Sequence, residues 1–402
     1  MNYFVVMVLA VQTVLGAYLG WRCRWAFGGV LPSWLMAWQV FWPLVALTVM
    51  SFPLAYFSSR LFGLALPPWL LLVTAIGYGA LVMGFATVLI ADVLGLIACR
   101  LPVLQGVCGY VRQQPHHLGL LVLAVVALQV AWGFYNAQTP RETHFSLTVH
   151  KPLKNGGRQL RIVHVSDLHV GRYSSQALMA AMVERVNRLQ ADLIVITGDI
   201  VDNALQPYFD QDMPRILGGL QSRYGVYAIM GNHDYFGESP RRNVAAYNRS
   251  NMRVLRDEAL YLADPGITLI GREDMIRGSR ILPDASGPRA PLAALTAEAD
   301  PATPWILLDH QPRQIDEALA EKIDLQFSGH THNGQFFPVN LIVKLLYPNP
   351  WGLLTQGNYS LIVSCGFGTW GPPLRFPSYA EIVVADVAFQ PESEDGERMT
   401  ED

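Results

Sequence analysis

Residues 160–169 read LRIVHVSDLH and residues 193–202 read LIVITGDIVD. In each, a short run dominated by apolar residues stops abruptly at an acidic residue, with a histidine close by in the first. Runs of this length and composition are expected of strands covered on both faces, as in a parallel sheet. The construction returns three times: GVYAIMGNHD at 225–234, WILLDHQP at 305–312 and LQFSGHTH at 325–332. Between the first two, Leu178, Met182, Val186 and Leu189 recur at helical spacing over residues 174–190. Phe145–Val149, Ile267–Ile270, Ser360–Ser364 and Glu381–Val387 complete the expected strands. Strands alternating with helices predict an α/β or α+β layered domain.

The polar residues cluster at the carboxyl ends of these strands, where open α/β sheets hold their ligands. They are Asp167 and His169, Asp199 and Asp202, Asn232, His233 and Asp234, Asp309 and His310, and His330 and His332. An Asp-x-His or His-x-His step puts both side chains on one face of an extended chain. Carboxylate oxygen with imidazole nitrogen is the donor mixture of zinc, iron or manganese. A single such pair would be an ordinary turn, whereas five in order predict a metal centre.

The ordered series DLH, GDIVD, GNHD, the lone histidine of LLDHQP, and GHTH resembles the calcineurin-like metallophosphoesterase family over residues 160–387. The ending GFGTWGPPLRFPSYAEIVV at 366–384 is similar to its membrane-associated bacterial phosphodiesterases. The resemblance implies a four-layer α-β-β-α sandwich holding two divalent ions. One ion would be held by Asp167, His169 and His332 and the other by Asn232, His310 and His330, with Asp199 bridging. His233 would be the general acid or charge clamp, oriented by Asp234. Two ions about 3.5–4 Å apart clamp both oxygens of an in-line displacement. A bridging hydroxide would then attack phosphorus directly, and His233 would serve the leaving alkoxide.

Other residues stay open at this level. Asp202 reads as an acceptor behind a ligand or as a helix N-cap, and Asp309 carries the same ambiguity. Strand parity turns His164 away from Asp167 and into the core. His116, His117, His144 and His150 lie in no motif, Arg172 reads as a phosphate contact or a solvated loop residue, and Cys365 reads as packing. The arginines 241, 242, 249, 253 and 256 fit a solvated helix face opposite Val244 and Tyr247, or a face that binds headgroups. Residues 336–354, FFPVNLIVKLLYPNPWGLL, are too short and interrupted to span a bilayer. They read as a buried insertion or as an apolar lip beside the site.

Composition explains the rest of the chain. Of 402 residues 51% are hydrophobic and only 15% charged, with mean hydropathy +0.24. That is well below the roughly 25% charged content of soluble domains and excludes disorder as the main state. Residues 1–140 hold only Arg22, Arg24, Arg60, Arg100, Arg112 and Asp92 as charged side chains, leaving 24 basic and 31 acidic residues beyond. No basic cluster marks a nucleic-acid surface, and four cysteines are too few for a disulfide scaffold.

Four apolar stretches, near Tyr3–Gly20, Trp34–Phe57, Trp69–Cys99 and Leu118–Tyr135, approach the ~20 residues of a membrane span. Seven of the ten tryptophans lie among them, mostly near the ends where interfaces favour amphipathic rings. Pro43 and Pro53 are expected to kink the second. Arg22 and Arg24 in the first loop, and Arg100 and Arg112 in the third, face Arg60 alone in the second. The positive-inside rule then places loops one and three in the cytoplasm and the long domain outside. Arg141, Lys151 and Lys154 count against that bias. Cys23, Cys99 and Cys108 would sit on the reducing side, unpaired. Asp92, the lone carboxylate in the spans, reads as a polar residue near the headgroups or as an ion site.

The sequence therefore predicts a membrane region over 1–140, a metallophosphoesterase domain over 141–390 and a disordered acidic tail over 391–402. The expected protein sits in a bacterial inner membrane, carries two ions (zinc, manganese or iron) and hydrolyses a phosphodiester or pyrophosphate, including one in a lipid headgroup. No nucleic-acid partner is expected. The competing reading is a non-catalytic membrane sensor or scaffold that uses the hydrolase fold to bind.

Overall fold

The computed structural model describes residues 3–62, 66–237, 239–279 and 287–391. The tail expected to be disordered lies, from residue 392, outside the described residues. Two compact units result. The first holds Met1–Asn136 with two later segments, Phe336–Asn340 and Gly371–Pro377, and the second holds the remainder.

In the first unit the long helices are Tyr3–Phe27, Trp38–Phe62, Pro68–Ala98 and Pro115–Gln138. Among the described residues three helical stretches are long and apolar enough to cross a membrane: Trp38–Tyr56, Pro68–Ala98 and Pro115–Gln138. Pro43 and Pro53 both lie inside the second long helix. Asp92 pairs with Arg22 at 2.5 Å and accepts from Tyr18, which offsets its charge between the first and third long helices.

Cys99 and Cys108, expected as free thiols, are joined by a disulfide. The helix ends at Ala98, a short turn at Pro102–Leu104 reverses the chain, and the helix Gln105–Gln113 carries Cys108 back to Cys99. Packing divides the chain after Asn136 and groups Phe336–Asn340 and Gly371–Pro377 with the long helices. The reason is apolar packing. Phe336 and Leu374 close over Met83 of the helix Pro68–Ala98, with Val82, Val130, Val339 and Phe376 around them.

Among the described residues the second unit has twelve strands in two sheets. They are β1 (Arg141–Val149), β2 (Gln159–Val165), β3 (Leu193–Thr197), β4 (Val226–Ile229), β5 (Met252–Val254), β6 (Glu258–Leu262), β7 (Ile267–Gly271), β8 (Trp305–Leu308), β9 (Leu325–Ser328), β10 (Gly352–Gln356), β11 (Tyr359–Val363) and β12 (Glu381–Phe389). One sheet runs β1-β12-β2-β3-β4-β5 and the other β10-β11-β9-β8-β7-β6.

Strand parity sorts the core into layers. Ile162, Leu193 and Val195 of the first sheet meet Ile306, Leu308 and Phe327 of the second in a middle core. On the first sheet's other face, Val163, Ile194 and Ile196 pack against Met179, Met182 and Val186 of the helix Gln176–Arg188. On the second sheet's outer face, Ile270 and Leu307 pack against Leu292, Ile315 and Ala318. The four-layer α-β-β-α sandwich is the observed fold. It stacks the ends of β2, β3 and β4 beside those of β8 and β9, so the five polar motifs come from two sheets rather than one edge.

Candidate metal centre

The loops after the five strands turn sharply, and their backbones show it. Asp167, His169, Asp199, His330 and His332 all have φ between 44° and 70°. This left-handed region is uncommon for residues with a Cβ, and such residues cluster where surrounding structure over-determines them. Gly329 permits a close approach, since a Cβ there would overlap Ser166 Oγ and Asp167 Oδ2. Gly198, at φ 86°, would drive a Cβ into the Gly231 backbone.

The donors converge in three overlapping groups whose ligand atoms lie within 4.8 Å of one another: Asp167, His169 and His332; His169, Asp199 and His233; and Asp199, His310 and His330. His169 Nε2 and His332 Nε2 face each other at 3.0 Å, with Asp167 Oδ1 3.4 Å from the latter. Two imidazole nitrogens and a carboxylate aimed at one point form a donor set that suits a divalent ion. His310 Nδ1 donates to Thr197 O at 2.7 Å, which fixes its tautomer and turns the Nε2 lone pair toward Asp199 Oδ2 (3.2 Å) and Asn232 Oδ1 (3.2 Å). The residues present therefore fit divalent metal ions. All seven sequence-predicted ligands, Asp167, His169, Asp199, Asn232, His310, His330 and His332, are brought to this place.

Electrostatics prepare the donors. Burial alone would raise the Asp199 carboxyl, but His310 and His233 outweigh it and hold it ionised, well below the usual range. Burial pushes Asp167 up. Desolvation, helped by positive His310, pushes His330 down to about 3 and keeps its imidazole neutral.

His233 is oriented differently from the expectation. Its Nδ1 donates to Asp202 O at 2.5 Å and lies 3.5 Å from Asp202 Oδ1. Asp202 Oδ1 also stands 3.6 Å from His169 Nδ1, so its carboxylate places a negative charge behind both histidines and does not cap a helix. Burial lowers His233, but Asp199 and Asp202 reverse this and raise it to about 9. The Asp234 carboxylate points away from the His233 ring. Oδ1 accepts from Ile200 N and Val201 N (both 3.1 Å) and from Tyr247 Oη (2.6 Å), and Oδ2 accepts from Gly231 N (2.8 Å). Asp234 staples two ligand loops together, which corrects its expected role as the orienter of His233.

The remaining candidates fall into place around these. Asp309 forms ion pairs with Arg289 (2.9 Å) and Arg272 (3.6 Å). His164 is a core residue, with Nε2 2.8 Å from Thr197 Oγ1 and its ring against Phe327. Cys365 is buried, Arg172 is exposed, and Tyr247 points inward as the helical spacing predicted. Three aromatic residues went unrecognised in the sequence. Phe236 and Trp370 flank the His233 ring at centroid distances of 5.4 and 6.2 Å, and Tyr347 meets His330 at 6.0 Å. Only the proximity of Phe236 to the GNHD motif could have signalled any of them.

Comparison with known proteins agrees with this geometry. The sequence profile described as calcineurin-like phosphoesterase matches residues 160–334. The chain is 36% identical over 231 residues to an uncharacterized metallophosphoesterase of Helicobacter pylori strain J99, covering 56% of this chain and 59% of that protein. It is 30% identical over 385 residues to a transmembrane protein with metallophosphoesterase domain from Bos taurus, covering 92% and 85%. An uncharacterized metallophosphoesterase of Aquifex aeolicus is 32% identical over 241 residues, covering 58% and 86%. The chain thus spans about three fifths of the Helicobacter relative and most of the other two.

Proposed function

We propose, for a chain that belongs to the calcineurin-like metallophosphoesterase family, that it is a membrane-anchored phosphoester hydrolase using two divalent ions. The substrate class is a phosphodiester or pyrophosphate at the membrane. The observation that carries this is the convergence of histidine and aspartate donors from five loops into three overlapping, largely buried groups. A module kept only for binding would not need that set complete, which disfavours the scaffold reading.

Asp167, His169 and His332 would hold one ion, Asn232, His310 and His330 the other, and Asp199 both. When bound, the ions supply Lewis-acid activation of water and of the phosphoryl oxygens. The chain's own residues do the rest. His233, held at Nδ1 by the Asp202 carbonyl, would present Nε2 as the proton donor to the leaving oxygen. Asp202 keeps that ring in register and stabilises its positive charge. Burial of Asp167, Asp199 and His310 excludes bulk water from the donors and strengthens their electrostatics. Arginine asymmetry in the short loops supports an inner-membrane protein with this domain outside the cytoplasm.

The test is turnover of phosphomonoesters, phosphodiesters, pyrophosphate and phospholipids by the full chain loaded with manganese, zinc or iron. His233→Asn is expected to keep both metals and lose about 10²–10⁴ in kcat. The loss should be smaller on substrates with good leaving groups. No metal-dependent turnover of any of these would overturn the reading.

A further inference from the structure

The helix Val339–Leu346 departs from what a water-facing helix should show. Leu341, Ile342, Leu345 and Leu346 are all exposed, Leu345 to 88%, and Lys344 is the only charge in its eight residues. At i, i+3 and i+4 spacing these four share one side of the helix. A contiguous exposed apolar face of this kind marks an interaction surface.

Its two ends say what covers it. At the start, Val339 packs in the apolar cluster around Met83, the middle residue of the bilayer-length helix Pro68–Ala98. Leu346 lies seven residues further on, about 10 Å along the same helix at 1.5 Å per residue. The exposed residues therefore follow, in the same helix, directly on a segment packed against a helix of bilayer length. At the other end the next residue is Tyr347, whose ring meets the candidate ligand His330. A second strand of chain repeats the pattern. Trp370, exposed and beside His233, directly precedes the other segment that packs with Met83. The Gln335 amide ties the two strands together, donating to Trp370 O (2.9 Å) and accepting from Trp370 N (2.8 Å).

We propose that Val339–Leu346 is an interfacial helix that sinks Leu341, Ile342, Leu345 and Leu346 into the leaflet beside the metal centre, and that the phosphoester hydrolysed is that of a phospholipid in that leaflet. The substrate half rests on the hydrolase reading, and the docking half does not. An amphipathic helix with an apolar face and a snorkelling lysine suits the headgroup–acyl boundary.

The experiment uses the full chain in phosphatidylglycerol-containing nanodiscs. A nitroxide is placed at Leu345→Cys, with Glu298→Cys as an exposed reference, in a background carrying Cys23→Ser, Cys99→Ser and Cys108→Ser. Collision with oxygen should exceed collision with a water-soluble nickel chelate at least threefold at 345, and the order should reverse at 298. Free access of the chelate to 345, or exclusion of both reagents as by a protein partner, would overturn lipid docking. In parallel, the double variant Leu341→Ser, Leu345→Ser should lose more than tenfold in kcat/KM on vesicular phosphatidylglycerol. It should stay within twofold of the parent on soluble bis(p-nitrophenyl) phosphate. Equal loss on both substrates, or none on vesicles, would refute the docking role. Parent enzyme that cleaves the soluble diester and no phospholipid would refute the substrate half. Absence of all turnover would strike at the hydrolase reading, while the nitroxide result would still decide docking.

Discussion

Asp234→Asn separates two roles that its place in the GNHD motif leaves entangled. Asparagine keeps one acceptor oxygen and replaces the other with an NH2 donor. The least costly orientation leaves the oxygen with Ile200 N, Val201 N and Tyr247 Oη and turns the NH2 toward Gly231 N. That strands two facing buried donors, at about 1–3 kcal/mol each, and removes charge assistance from three bonds, at about 1 kcal/mol each. Relief works the other way. Burial and the neighbouring Asp199 push the Asp234 carboxyl up to about 6, so neutralising it returns up to about 3 kcal/mol at 1.4 kcal/mol per pH unit. The net expectation is a loss of about 4 kcal/mol, or roughly 8–16 °C in Tm for a domain of this size. Thermal unfolding in detergent measures it, with kcat taken on a good and a poor leaving group. The fall in kcat should be the same on both, because the His233 ring is held by Asp202. An unchanged Tm, together with the leaving-group dependence expected of His233→Asn, would refute this account and restore Asp234 as the orienter.

Asp199→Asn should abolish most turnover and release metal from both sites, and elemental analysis showing two retained ions would sink its bridging role. Burial depresses His164 to about 3, against about 6.5 in the unfolded chain. Between those values the unfolded state binds more protons, so stability falls as pH drops, by about 1.4 kcal/mol per unit. His164→Asn should therefore lose about 2 kcal/mol less than the parent between pH 7 and pH 5 in detergent unfolding, and an identical acid slope would contradict its neutral burial. A reporter fused after Asp402 should be active outside the cytoplasm and one at Gln114 inside. Activity of the Gln114 fusion outside the cytoplasm would reverse the orientation.

What the sequence disclosed and what it hid follow one physical division. β2, β3, β4, β8 and β9 are interior strands flanked on both sides, so their composition had to be almost wholly apolar, and the ligands stand where that composition stops. β5, β6 and β10 escaped notice because they are sheet edges with a neighbour on one side only. β6 alternates exposed and half-buried residues, and β5 has three residues. The ligand set was legible because it depends on residue type at strand ends. The exchange of roles between Asp202 and Asp234 was not, because it depends on which way a side chain leaves a turn. Glu381 was hidden for the same reason. It is a buried carboxylate that accepts from Cys365 N (2.8 Å) and Thr143 Oγ1 (2.6 Å), inside what reads as an ordinary apolar strand.

The order β1-β12-β2 places the last strand between the first two, parallel to one and antiparallel to the other. β1 follows the last long apolar helix almost at once, yet it cannot join its sheet until β12 has been synthesised some 230 residues later. Pairing over such a separation forms slowly, because loop closure precedes its reward. The first sheet therefore stays open at β2 throughout synthesis. β2, β3, β4 and β5 can pair with one another as they emerge, whereas β1 waits for the final strand. Every candidate ligand precedes β12, so the donor loops can gather before the sheet is completed.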